Sequence, residues 1–112
     1  MGSWGELPWE SDAGLDFAWN SLEKTVDAVS ATLRQPLLDS ATPSDIDRVK
    51  VCCDLLLKLR PYWNPFKRRV DVENAIVALA RAREILLCWE NVEPNTDRML
   101  QELRDLLPQL PP

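Results

Sequence analysis

A chain of 112 residues, 46% apolar and 28% charged, has the size and mixture of one folded domain, and its longest apolar runs are too short to cross a membrane. A net charge of −5 argues against nucleic acid or an anionic membrane as the main partner, and the absence of histidine removes the commonest general base and transition-metal ligand. Cys52, Cys53 and Cys88 are odd in number and partly adjacent, and no basic stretch leads into an apolar one at the start, so a reducing cytoplasm is expected.

The opening Met1 to Trp9 holds Trp4, Trp9, Gly2, Gly5 and Pro8. Glycine and proline set angles that a helix does not choose, and tryptophan favours burial, so an irregular strap with its indoles plugged into a helical core is expected. A first helix should begin at Ser11 or Asp12, either of which can cap it. Leu15, Ala18, Trp19, Leu22, Val26, Val29 and Leu33 recur at steps of three and four, to about Arg34. Pro36 ends it by pushing Gln35 out of helical angles.

Thr42-Pro43-Ser44-Asp45 is a strong start signal for a second helix, with Thr42 capping and Pro43 in the first turn. Ile46, Val49, Cys52, Cys53, Leu56 and Leu59 form its stripe, broadened by Val51, Leu55 and Leu57, which predicts a central position. Pro61 to Phe66 holds three aromatic residues and two prolines and reads as a rigid turn. Asp71 can cap a third helix running over Val72 to Asn91, with Val72, Ala75, Ile76, Leu79, Ala82, Ile85, Leu86 and Trp89 on its buried side. Its alanines would let a neighbouring helix come close. A shorter last helix starts at Asn95 or Thr96, carries Met99, Leu100, Leu103, Leu106 and Leu107, and closes at Pro108 before an extended tail. No strand pattern emerges. The expected fold is all-α, a single domain built as a compact bundle of about four helices with an irregular N-terminal strap.

The opening also resembles that of a bacterial family of unknown function whose N-termini read Met-Gly-x-Trp-Gly-x-Gly-Pro-Phe-Glu/Asp-Asn-Asp-x-Ala-x-Asp-Trp/Phe. Met1, Gly2, Trp4, Gly5, Pro8, Glu10, Asp12, Asp16 and Phe17 match, while Leu7, Trp9, Ser11 and Gly14 depart from it. The resemblance covers the first seventeen residues and implies a small, mostly helical, soluble bacterial protein. It carries over no catalytic residue.

No cofactor or metal site is expected. Asp12 and Asp16 share a helical face, but capping and the helix dipole explain them better than a metal does, because no second carboxylate helix accompanies them. The cysteines lie on or beside apolar stripes and read as small core residues. Trp19 and Trp89 lie on helix faces and read as core; Trp4, Trp9 and Trp63 fall in irregular segments and are expected to be buried there, an exposed one being a candidate binding anchor.

Charge is unevenly placed. Residues 1–33 carry six acids against Lys24, while the remainder balances at twelve of each, and no acid occurs between Leu55 and Val70. A non-enzymatic protein-interaction module is therefore expected, of the kind that binds a basic toxin partner. Glu10, Asp12, Asp16, Glu23 and Asp27 are its candidate contact residues. The alternative face is Arg60, Tyr62, Trp63, Phe66, Lys67, Arg68 and Arg69, whose basic members can instead pair with the acidic N-terminal region. Two other readings stand behind this one: a small-ligand binder or enzyme with a cleft between strap and bundle, and single-stranded nucleic acid held at the 60–69 turn. The broad apolar second helix leaves a homodimer open.

Overall fold

The computed structural model describes residues 12–91 and 93–111, with side chains described from Trp19 onward. The opening strap, including Trp4, Trp9 and Glu10, lies outside the described residues, as do the side chains of Asp12 and Asp16. Within the described span the chain is all-α: α1 is Asp12–Leu33, α2 Pro43–Lys58, α3 Arg69–Cys88 and α4 Pro94–Leu106, followed by a single 3-10 turn at Leu107–Gln109. Among the described residues there is no strand, and no helix is long and apolar enough to cross a membrane.

The α2 start forms as its sequence dictates. The Thr42 hydroxyl accepts from the Asp45 amide at 3.3 Å while the Thr42 amide donates to the Asp45 carboxylate at 2.9 Å, so the two residues cap each other. The amide and then the hydroxyl of Thr42 hold the Asp45 carboxyl below its usual range.

The third helix departs from its expected limits. It begins at Arg69, and Arg68 stands at the cap position with no capping side chain. Asp71 does not cap: it lies one turn in, is buried, and binds Arg68 instead. The helix stops at Cys88 rather than Asn91, because Glu90 turns left-handed at φ 57°. There the Glu90 amide donates to the Leu87 carbonyl at 3.0 Å and the Asn91 amide to Leu86 at 2.9 Å, the two-bond helix stop that usually uses glycine. The last helix starts earlier than expected, at Pro94, behind Glu93.

Both α2 and α3 touch every other helix, whereas α1 and α4 do not touch each other within the described residues. The central pair α2–α3 is thus flanked by α1 and α4, and one core joins all four. Val26, Val29 and Leu33 enter it from α1, Ile46, Cys53 and Leu56 from α2, Val72, Leu79 and Ala82 from α3, and Leu100 and Leu103 from α4. Ala75 and Ala82 are fully buried, and the Cys53 thiol lies 3.7 Å from the Ala75 carbonyl, so small α3 residues do let α2 approach closely.

Three expectations reverse at the rim: Trp19 and Trp89, read as core, are 45% and 43% exposed, and Cys88 is exposed too, whereas Trp63 in the irregular connector is buried at 5% exposure, as expected. Among the described side chains of α1 the first buried one is Val26, two turns after Trp19, and Trp89 stands where α3 ends. Cys88 is exposed, unlike Cys52 and Cys53, because it lies on the outward side of the last α3 turn. The tail is anchored as well as extended. Leu110 is buried, and Arg69 donates to the carbonyls of Leu107 at 3.4 Å and Leu110 at 3.1 Å.

Candidate functional site

The two candidate faces read from the sequence meet each other. Trp19, Glu23 and Asp27 occur every fourth residue and so share one side of α1. That side runs along the connector between α2 and α3. The Trp19 ring stands edge-on to Tyr62, with centroids 6.5 Å apart and planes at 67°. One turn on, Lys67 reaches Glu23 at 3.3 Å, and one turn further Arg68 reaches Asp27 at 2.8 Å. An aromatic pair and two ion pairs therefore fasten α1 to the connector.

Beneath them lies a buried ionic cluster. Arg68 is 5% exposed and also binds the buried Asp71 at 3.1 Å, which Arg34, just past the end of α1, approaches at 3.8 Å. Burial alone would lower the Arg68 pKa, but hydrogen bonds and charge from Asp27 and Asp71 outweigh it and raise the pKa above its usual value. The Arg68 Nε and the Ser30 hydroxyl are both buried without a hydrogen-bond partner among the described residues.

The remaining cations of the 60–69 stretch are engaged too. Arg60 donates to the Gln109 side chain at 2.7 Å, and Arg69 pairs with Glu73 at 3.4 Å besides holding the tail. The connector itself is tied down locally. Tyr62 and Trp63 both donate from their amides to the Leu59 carbonyl, and the Phe66 amide donates to the Asn64 side chain at 3.0 Å. The Trp63 indole donates to the Leu56 carbonyl at 2.8 Å. That carbonyl belongs to the last turn of α2, where no following helical amide can serve it.

The rim of this junction is concave. A cleft of about 400 Å³ opens between α1 and the connector, with Trp19 and Glu23 on one wall, Pro61, Tyr62 and Pro65 on the other, and Trp63 beneath. Tyr62 is 43% exposed and Phe66, just beyond, 77%. The cleft offers apolar and aromatic surface with one carboxylate at its edge, and that carboxylate is already paired with Lys67. This is the composition of a contact site for a side chain of another protein.

The described residues hold no group of three or more metal-ligating side chains. The Cys53 thiol is pushed up to about 12 by burial and then by its neighbour Cys52, which keeps it protonated and unreactive. A second cleft, about 210 Å³, lies where α1 passes into α2, lined by Thr32, Pro36, Leu37, Asp45 and Arg48 among others. The sequence reading missed Arg34 and Asp71 as members of the ionic cluster. The signal available for Arg34 was its seven-residue spacing from Asp27, which keeps it on the same side just past the end of α1.

The fold and this junction define a small all-α protein built on a central helix pair. No protein-family model, curated protein or solved structure matches the chain.

Proposed function

We propose that this chain is a non-enzymatic protein-interaction module that receives its partner at the aromatic cleft between α1 and the connector. One observation carries the reading: half-exposed Trp19 and Tyr62 are braced against each other over a buried Trp63, on a junction fixed by two ion pairs. Large aromatic rings held rigid at the surface give binding area at little entropic cost, which is why they dominate interface energetics. The net charge of −5 favours a basic partner, and an immunity-type protein that holds a basic toxin is the version most in keeping with it. Glu23 and Asp27 contribute less to that attraction than the sequence alone suggests, since Lys67 and Arg68 already compensate them. The same pairing weighs against single-stranded nucleic acid at the turn, because Arg60, Lys67, Arg68 and Arg69 each have a partner within the chain.

A photo-crosslinking residue at position 62, in cells that also express the product of the neighbouring gene, tests this. A specific crosslink to that product is expected, lost with Trp19→Ala and retained with Asp27→Asn. Loss with Asp27→Asn and retention with Trp19→Ala would transfer the site to the acidic face of α1.

A further inference from the structure

Helix α3 carries exposed apolar side chains on its outward side, spaced between acids. The outward positions Val70, Glu73, Val77, Ala80, Glu84 and Leu87 alternate in steps of three and four, the spacing of a helix–helix seam. Val70 is 61% exposed, Val77 69% and Leu87 48%. Of the nine exposed large hydrophobic residues among those described, five (Phe66, Val70, Val77, Leu87 and Trp89) lie on α3 or just beyond its ends, so exposed apolar surface is concentrated there. Exposed apolar side chains set at turn spacing along a helix are the usual sign of a surface that another helix covers.

We infer that this face is a contact between two copies of the chain, packed antiparallel about a twofold axis that crosses α3 between Val77 and Ala80. The seam reads the same in both directions: apolar, acidic, apolar, apolar, acidic, apolar. Reversed upon itself it sets Val77 against Ala80 and Val70 against Leu87, which is what an isologous interface requires and what an unrelated partner would not need. Ala80, next to the axis, lets the helices approach. Beyond the seam, exposed Phe66 of one copy falls toward the Leu87–Trp89 end of the other. Glu73 and Glu84 oppose each other, and each carries a cation from its own helix, Arg69 at 3.4 Å and Arg81 at 3.2 Å. Arg81 also falls within one turn of Glu73 in the second copy, where it can bridge the two acids. A single helix face is less than the ~800 Å² per partner of a standard interface, so the dimer is concentration-dependent.

Sedimentation equilibrium from micromolar to near-millimolar chain should show the mass rising from 12.8 kDa toward twice that value. Val77→Glu, at an exposed position, should hold the mass at one chain with unchanged helical circular dichroism, and Val51→Glu on the outward side of α2 should leave the dimer intact. Spin labels on the natural, exposed Cys88 report the orientation without any substitution. Antiparallel pairing places Cys88 opposite Arg69, so the two labels stand roughly 28 Å apart along the helices. A one-chain mass throughout, a dimer indifferent to Val77→Glu, a dimer equally sensitive to Val51→Glu, or labels in near contact would each overturn the inference.

Discussion

Replacing Arg68 with methionine tests whether the junction between α1 and the connector is held by its buried charges. Arg68 and Asp71 have side chains only 6% exposed, and they pair at 3.1 Å. Methionine fills much of the arginine stem but leaves the Asp71 carboxylate in place, with only the largely exposed Arg34 at 3.8 Å to answer it. Stranding a buried charge in this way costs about 3–5 kcal/mol. With an unfolding entropy near 2.1 cal/mol/K per residue over a chain of this length, each kcal/mol lowers the melting temperature by about 4 °C, so a fall of roughly 12–20 °C is expected. Asp27→Asn should behave differently. Its carboxylate is 68% exposed and Arg68 would keep Asp71, so the cost should stay below about 1 kcal/mol. Joining Asp71→Leu to Arg68→Met should recover most of the loss, because the pair is then removed rather than broken. Thermal and urea melts followed by circular dichroism measure all three. If Arg68→Met costs under about 0.5 kcal/mol, or the double variant melts no higher than the single, the charge account of the junction is wrong.

Two further perturbations separate the other supports of the fold. Trp63→Phe keeps most of the buried ring but leaves the Leu56 carbonyl without its indole donor, and should cost about 1–3 kcal/mol in a urea melt. A change within about 0.3 kcal/mol would show that water replaces the bond freely. The part-buried Lys50–Glu93 bridge at 2.5 Å joins α2 to the start of α4. The Lys50 hydrogen bond lowers the Glu93 pKa from its usual 4.5, and the Glu93 hydrogen bond raises that of Lys50 from 10.5. The bridge's stabilisation is therefore present between those two ordinary values. It fades as pH falls through the depressed value of Glu93 or rises through the elevated value of Lys50. Melting temperatures across pH should show Glu93→Gln lowering stability near neutrality and converging on the natural chain at both extremes; a constant offset at every pH would contradict this.

Much of the architecture was legible because local signals and core stripes agree. Thr42-Pro43-Ser44-Asp45 fixes the α2 start to the residue, and Val26, Val29 and Leu33 show the buried side of α1. The misjudged residues are those whose environment is set by another element. Trp19 matches the α1 stripe as well as Val26 does, but its ring meets Tyr62 of the connector, and a helical period cannot show which neighbour a side chain faces. Trp63, whose burial was expected, lies among prolines and has no period at all, so nothing in the sequence shows that its indole serves the end of α2. Asp71 has the composition of a cap, but the cation that draws it inward stands only three residues earlier in sequence, just outside the helix. The acidic and basic stretches were both visible, and their pairing was one reading among several. Only the distances bring Glu23 to Lys67 and Asp27 to Arg68.

The grip of Arg69 on the tail has a bearing on how the molecule opens. A terminal helix ordinarily frays from its free end, with its last amides exchanging with solvent independently of the rest of the structure. Here the last carbonyls after α4 are held by the first residue of α3, and Leu110 is buried beyond them. At its other end, Glu93 is tied to α2. Helix α4 is thus held at both ends, by α2 at its start and by α3 at its close, and the amides of its final turn are expected to exchange with those of the core rather than ahead of them.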